Sequence, residues 1–186
     1  TFQKTLPECF QQEVCMDNKI GVWIEPTRER AENEMMLLDE LGKIPVMIRI
    51  YHHEEEKSRK FRLQIAKELH RAGYKVSVSM VQDRKAIQNP AKWAAFIRKS
   101  VFELRDILEF VEIGHTLNRV KWGVWSMNDV KVLFSSLKTL VCQYPQITFM
   151  GPACIDFEYP FVVSALKQLP PNTSFGALSH QLYVDR

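Results

Sequence analysis

Two side chains near the middle of the chain, Glu112 and His115, have the chemistry of general acids and bases. They lie three residues apart in the stretch EIGHTLNRVKWG, residues 112–123. A carboxyl or an imidazole can transfer a proton in a reaction when its pKa lies near the working pH. Thr116 and Asn118 follow and add a hydroxyl and an amide, which bind ligands through hydrogen bonds. We therefore predict Glu112 and His115 as the catalytic candidates.

Apolar runs and amphipathic stretches alternate along the chain and would position these residues. Runs rich in branched side chains predict six strands, at 19–25, 44–51, 75–82, 107–114, 146–153 and 175–183. Helical spacing of apolar residues predicts five helices between them, at 26–42, 54–73, 89–106, 126–145 and 159–170. Pro26 and Thr27 suit the start of the first helix. Asn89 and Pro90 suit the N-cap and first position of the third. Strands buried on both faces and joined by helices predict a parallel sheet.

Two architectures fit a parallel sheet of this kind, an open doubly wound sheet and a (β/α)8 TIM barrel. The first strand–helix turn has no GxGxxG, and the chain has no GxxxxGK[ST], so a nucleotide-binding sheet lacks its usual motifs. We predict an incomplete (β/α)8 barrel with six strands. It would form one domain over residues 19–186, after an N-terminal extension over residues 1–18.

The carboxyl ends of the predicted strands are unusually polar, and these ends form the rim where barrel proteins keep their chemistry. The polar residues at the strand ends are Glu25, Arg49, His52, His53, Gln82, Asp83, Arg84, His115, Thr116, Asn118, Cys154, Asp156, His180 and Tyr183. Of the four tryptophans, Trp23 and Trp93 are predicted to lie in the core. Trp122 and Trp125 lie in the loop after the fourth strand, as ligand platforms or as packing residues. A binding site is predicted on this rim.

From the fourth strand onward the chain resembles the retaining glycoside hydrolases of barrel clan A. That clan has a fourth strand like EIGNEPN, and this chain has EIGHTLN at 112–118. FMGPA at 149–153 and LSHQLYV at 178–184 are similar to its fifth and sixth strands. The resemblance implies that the chain binds a carbohydrate or glycoside. The sugar-binding residues it implies are Arg49, Asn118, Trp122, His180 and Tyr183.

Two departures from the clan affect the implied mechanism. His115 stands where the clan has asparagine, and Thr116 stands where it has the catalytic glutamate. A threonine hydroxyl does not titrate near neutral pH, so Thr116 cannot act as the general acid. The clan's nucleophile lies on a seventh strand, which would follow Arg186. We therefore expect the chain to be part of a longer protein.

Three hypotheses follow for the function. The first is a glycoside hydrolase-like barrel that binds a carbohydrate and hydrolyses it with a remodelled acid/base. The second is a non-catalytic carbohydrate-binding or scaffold pseudo-enzyme, which Thr116 favours. The third is an unrelated barrel lyase or isomerase, since a fold does not imply a function. The alternative for Glu112 is a buried carboxylate bonded to Arg49, and for His115 a hydrogen-bonded structural histidine.

Composition argues against several other classes of protein. The net charge is +3 and the basic residues are scattered among acidic ones, so nucleic acid is not a predicted partner. No apolar run approaches the ~20 residues that span a bilayer, so no membrane contact is predicted. The four cysteines have no metal-ligand spacing. We predict no metal and no cofactor, and reduced cysteines in a cytoplasmic protein.

Overall fold

The structure, a computed structural model, describes residues 20–156 and 158–182 and contains a six-stranded parallel sheet. Its strands are β1 (Val22–Ile24), β2 (Val46–Tyr51), β3 (Val76–Val81), β4 (Leu108–Ile113), β5 (Thr148–Ile155) and β6 (Ala177–Gln181). Strand order follows chain order, which excludes the doubly wound sheet because that fold reverses direction at a switch point. The sheet curls into a half-barrel, and this confirms the predicted incomplete (β/α)8 barrel.

Helices connect consecutive strands and run along the outside of the sheet. Within the described residues they are α1 (Ala31–Leu41), α2 (Glu56–Arg71), α3 (Arg84–Gln88), α4 (Pro90–Leu104), α5 (Met127–Phe134), α6 (Leu137–Gln143) and α7 (Tyr159–Leu166). The predicted start of α4 is confirmed, because the Asn89 side chain accepts a hydrogen bond from the backbone N–H of Lys92 at 3.1 Å. None of these helices is long and apolar enough to pass through a membrane.

Helix α3 was not predicted, and α7 ends four residues before its predicted end. Two other helices differ from their predicted bounds for identifiable local reasons. The first was predicted from residue 26, but the carbonyl of Thr27 accepts hydrogen bonds from the N–H groups of Arg30 and Ala31, so a turn precedes α1. The helix predicted over 126–145 is divided into α5 and α6 at a pair of serines. The hydroxyl of Ser135 donates to the carbonyl of Val132 at 2.8 Å, and such bonds compete with the helical ones.

The hydrophobic core lies between the outer face of the sheet and the helices. Ile48, Met80 and Ile113 contribute from three neighbouring strands, and all are fully buried. Trp93 of α4 packs against them, and its indole N–H donates to the carbonyl of Leu133 at 3.0 Å. This donation satisfies a buried polar group, which an apolar core otherwise penalises by about 1–3 kcal/mol. The core fixes the strands, and with them the positions of the polar strand ends.

The prediction that Trp23 lies in the core is wrong. Its side chain is 41% exposed, because β1 is an edge strand of the described sheet and the ring turns toward the inside of the half-barrel. There the guanidinium carbon of Arg49 lies 4.6 Å from the centre of the ring, and the His115 ring centre lies 6.0 Å away. Trp23 is therefore a neighbour of the predicted site.

Candidate functional site

Gln82, which follows β3, holds the loop that leaves β4. Its side-chain oxygen accepts from the backbone N–H of His115 at 2.7 Å, and its amide nitrogen donates to the carbonyl of the same residue at 2.8 Å. The amide nitrogen also lies 3.3 Å from the carbonyl of Trp122. Gln82 is only 1% exposed, so water does not compete for these bonds. One side chain thus fixes both ends of the loop over 115–122.

Asn118 ties the same loop to β5. Its amide nitrogen donates to the carbonyl of Ile155 at 2.9 Å, and its oxygen accepts from the N–H of Ile155 at 2.8 Å. The side chain therefore replaces a backbone partner at the end of the strand. The sugar-binding role predicted for Asn118 stays a prediction, but its amide is already engaged in holding the loop.

Gln181, at the end of β6, was missed in the sequence and contacts both central residues of the motif. Its amide nitrogen lies 2.9 Å from Nδ1 of His115, and its oxygen accepts from the hydroxyl of Thr116 at 2.9 Å. With the amide of Gln181 in this orientation, Nδ1 of His115 accepts the hydrogen bond and the imidazole proton lies on Nε2. The signal for Gln181 was the alternation of β6, which puts Ser179 and Gln181 on one face and His180 on the other.

His115 lies in a dry and positively charged environment. It is 2% exposed, and the Trp122 ring stands perpendicular to it with 4.7 Å between ring centres. Burial, assisted by the charges of Arg49 and Lys121, lowers the pKa of His115 to about 4. The imidazole is therefore neutral at neutral pH and offers a hydrogen bond from Nε2. The catalytic role predicted for His115 stays a prediction, and this geometry favours binding.

The backbone around Thr116 is strained. Thr116 has a φ of 48°, a left-handed conformation that branched side chains rarely adopt and that costs on the order of 1–3 kcal/mol. Gly114 has a φ of 89°, and a Cβ there would lie 2.8 Å from the side chain of the buried Leu117. The reversal after β4 therefore depends on glycine and on the bond between Thr116 and Gln181.

Glu112 lies deeper inside the half-barrel than Thr116. It is 1% exposed and accepts a hydrogen bond from the hydroxyl of Ser79 at 2.5 Å. Burial raises the pKa of Glu112 to about 7, against the opposing effects of Ser79, Ser179 and the charge of Arg49. The partner expected for a structural Glu112 was Arg49, but the hydrogen bond comes from Ser79 on the adjacent strand. The carboxyl is thus poised to hold or release a proton near neutral pH.

Trp122 and its loop line a cavity of about 340 Å³ together with His115, Thr116 and Asp156. The loop lies close to the β3–α3 turn because Gly123 has no side chain: a Cβ on it would lie 2.5 Å from the backbone nitrogen of Arg84. The Trp122 ring is half-buried and forms a wall of the cavity. A cavity with an aromatic wall and several polar groups is the usual form of a small-ligand site.

The other residues predicted to bind sugar do not all lie in this cavity. Arg49 is half-buried on β2 and acts on Glu112 and His115 through its charge. His180 is exposed on the other face of β6, where its ring stacks against Tyr159 with 6.3 Å between centres. Tyr183 lies outside the described residues. Arg49 therefore lies near His115 in the candidate site, whereas His180 lies outside that site.

Metal-binding residue types are not clustered at the rim. Among residues 20–156 and 158–182, no group of three or more His, Cys, Asp or Glu side chains is placed to hold a metal ion. His52 has a side chain that could bind a metal ion, but it is paired with Asp83, with 2.7 Å between Nδ1 and Oδ1. Asp83 also caps α3 by accepting from the N–H of Ala86 at 2.9 Å.

Comparison with known proteins gives one similarity that carries an argument about the fold. No protein-family model matches the chain, and no curated protein matches its sequence. The solved complex of the virulence factor SghA with its substrate analog salicin is similar, with a TM-score of 0.52 and 11% sequence identity. The match covers 68% of this chain and 36% of that protein, so this chain corresponds to well under half of its length. At this identity the similarity shows the fold alone.

The raised pKa of Glu112 predicts a specific pH dependence of stability. Between the ordinary value of 4.5 and about 7, the folded state binds a proton that the unfolded state releases, so the free energy of unfolding falls as the pH rises through this window. Glu112→Gln stays neutral throughout. The difference in unfolding free energy, variant minus parent, should therefore rise by on the order of 3 kcal/mol between about pH 4.5 and about pH 8.

Denaturant unfolding at several pH values measures this difference. The contribution of His115 is present in both proteins and cancels in it. Glu109→Gln makes the same change at a half-exposed position on the same strand and serves as the matched control. A difference for Glu112→Gln that does not vary with pH would contradict the burial of an ionisable Glu112.

Proposed function

We propose that the chain is a glycoside hydrolase-like barrel segment that binds a carbohydrate or glycoside at the carboxyl ends of its strands. In this proposal the sugar lies in the cavity beside the loop after β4. Trp122 offers an aromatic face to the sugar ring, and Nε2–H of His115 donates to a hydroxyl. Because His115 is almost covered, the ring of Trp122 moves aside when the sugar enters.

One observation carries this proposal. The imidazole of His115 is held by the side chain of Gln181, and the backbone of His115 is held by the side chain of Gln82. The imidazole stands perpendicular to the Trp122 ring, and both rings line the same cavity. Neutral, oriented hydrogen-bonding groups beside an aromatic ring suit a neutral ligand with many hydroxyls. The SghA structure supports the choice of ligand class, because salicin is a glycoside.

The other predicted sugar-binding residues have separate roles in this proposal. Arg49 lies at the inner side of the site beside Trp23 and would contact a ligand that extends toward β1. Asn118 acts through the loop that it holds. His180 would contact only a ligand that reaches the other face of β6, and the sugar-binding roles of His180 and Tyr183 stay predictions.

Binding of salicin, measured by calorimetry, tests the proposal. Trp122→Ala removes the stacking face and should weaken binding by about tenfold, which corresponds to about 1.4 kcal/mol. Trp122→Phe keeps an aromatic face and should retain most of the affinity. Phe102→Ala removes an exposed aromatic ring from the C-terminal part of α4 and serves as the control.

Two results would count against this site. One is equal affinity of Trp122→Ala and the parent for salicin, with both proteins folded by circular dichroism. The other is a loss of affinity in Phe102→Ala as large as that in Trp122→Ala. Either would mean that a bound sugar lies elsewhere.

Glycoside hydrolysis is a second candidate, favoured by the pKa of about 7 at Glu112. A general acid must hold its proton at the working pH and release it in the transition state. Retaining hydrolysis also needs a second carboxylate about 5–5.5 Å away, and we propose that it lies on a strand following Arg186. The left-handed, hydrogen-bonded Thr116 favours the non-catalytic alternative.

Cleavage of an aryl glycoside by the chain joined to its natural following sequence distinguishes these candidates. If Glu112 is the acid, Glu112→Gln should lower the rate by about a hundredfold or more, and Glu109→Gln should not change it. Full activity of Glu112→Gln would remove Glu112 from the mechanism. Binding of salicin without any cleavage by the longer protein would favour the non-catalytic function.

A further inference from the structure

A cavity of about 720 Å³ lies between the loop after β2 and helix α4, outside the sugar site. Four cationic side chains contribute to its lining, namely Arg59, Lys85, Lys92 and Lys99. The carboxylate that lines it, Asp83, is already paired with His52 and with the N–H of Ala86. The cavity is therefore strongly positive.

Little of this positive charge is neutralised. Among the described residues, Lys85 and Lys92 have no acidic partner within ion-pair distance, and both are exposed. Lys99 reaches Glu56 at 3.2 Å, but Glu56 is shared with Lys60 at 3.3 Å. Like charges gathered around a concave surface raise its potential and attract an anion.

The basic cavity is linked to the sugar site through a third cavity that shares lining residues with both. It shares His53 and Asp83 with a cavity of about 290 Å³, and that cavity shares Lys121 and Trp122 with the site beside His115. The three adjoining cavities lie in a row across the ends of β2, β3 and β4. We call this row the rim groove.

Aromatic rings accompany the charges along the rim groove. Phe96 lines the basic cavity, and the guanidinium of Arg59 lies 5.4 Å from its ring centre. Trp122 and the 65% exposed Trp125 line the middle cavity, where Arg84 lies 4.0 Å from the Trp125 ring centre. The groove thus combines aromatic rings with cations, four of which line the basic cavity.

We propose that the rim groove binds an acidic oligosaccharide, with sulfate or carboxylate groups in the basic cavity and a sugar ring at Trp122. This inference rests on the proposed function for the identity of the ligand as a sugar. Four cations line the basic cavity, whereas Arg84 and Arg119, nearer the sugar site, are each paired with a carboxylate. This grouping, in a chain of net charge +3, fits discrete anionic groups better than a long nucleic-acid backbone.

A matched pair of ligands tests the inference: a sulfated dextran oligosaccharide and the same oligosaccharide without sulfate. Calorimetry should show about tenfold tighter binding of the sulfated form at about 50 mM salt, and less preference at about 300 mM salt. The double variant Lys85→Ala/Lys92→Ala should lose most of this preference. The control, Lys131→Ala/Lys138→Ala, removes exposed lysines that line no part of the groove and should keep it.

The outcomes separate this inference from the proposed function. Equal affinity for both oligosaccharides would overturn the inference and leave the proposed function in place. Equally tight binding of a single-stranded oligonucleotide, lost in the same lysine variant, would overturn the assignment to a carbohydrate. Sulfated binding that depends on the two lysines but not on Trp122 would support the basic cavity and count against the proposed function at Trp122.

Discussion

The double hydrogen bond between the Gln82 side chain and the backbone of His115 is the interaction on which the rim depends. The ladder between β3 and β4 ends at Met80 and Ile113, and the N–H of Gly114 still bonds to Met80 at 3.1 Å. Beyond that point the side-chain amide of Gln82, rather than a backbone peptide of β3, pairs with the N–H and carbonyl of His115. Asn118 pairs in the same way with the backbone of β5, and Gln181 of β6 bonds to the side chains of His115 and Thr116. Three buried or half-buried amides thus join a strained loop to its three neighbouring strands, at roughly 1 kcal/mol for each hydrogen bond.

The dry interior that these amides enclose favours neutral forms of the ionisable groups. Burial is the first cause of both large shifts, since the pKa of Glu112 rises to about 7 and that of His115 falls to about 4. A neutral carboxyl and a neutral imidazole bind hydroxyls by hydrogen bonds without the cost of burying a charge. Lys85 and Lys92, which have no acidic partner among the described residues, lie outside this region. This separation of neutral groups from exposed lysines suits a ligand that places a neutral ring at the centre of the rim and charged groups at the edge of the rim.

The alternation of strands and helices could be predicted from the sequence because strand and helix periods are local properties of the chain. The six strands, the cap at Asn89 and the polar rim follow from such patterns. The exposure of Trp23 and the role of Gln181 could not be predicted in this way, because both depend on which strands become neighbours across the half-barrel. The left-handed conformation of Thr116 also arises from tertiary bonds rather than from its own preference. His115 and Thr116 therefore take their positions from contacts with residues that are distant in the sequence.

Nuclear magnetic resonance of the four tryptophan indole N–H groups during a salicin titration tests the central claim most directly. The claim is that a glycoside binds beside the loop after β4. The indole signal of Trp122 should shift in a saturable manner, and the signal of Trp93, whose N–H is bonded to Leu133 in the core, should stay fixed. Saturable binding that leaves the Trp122 signal in place, or that shifts Trp93 as much, would contradict the claim.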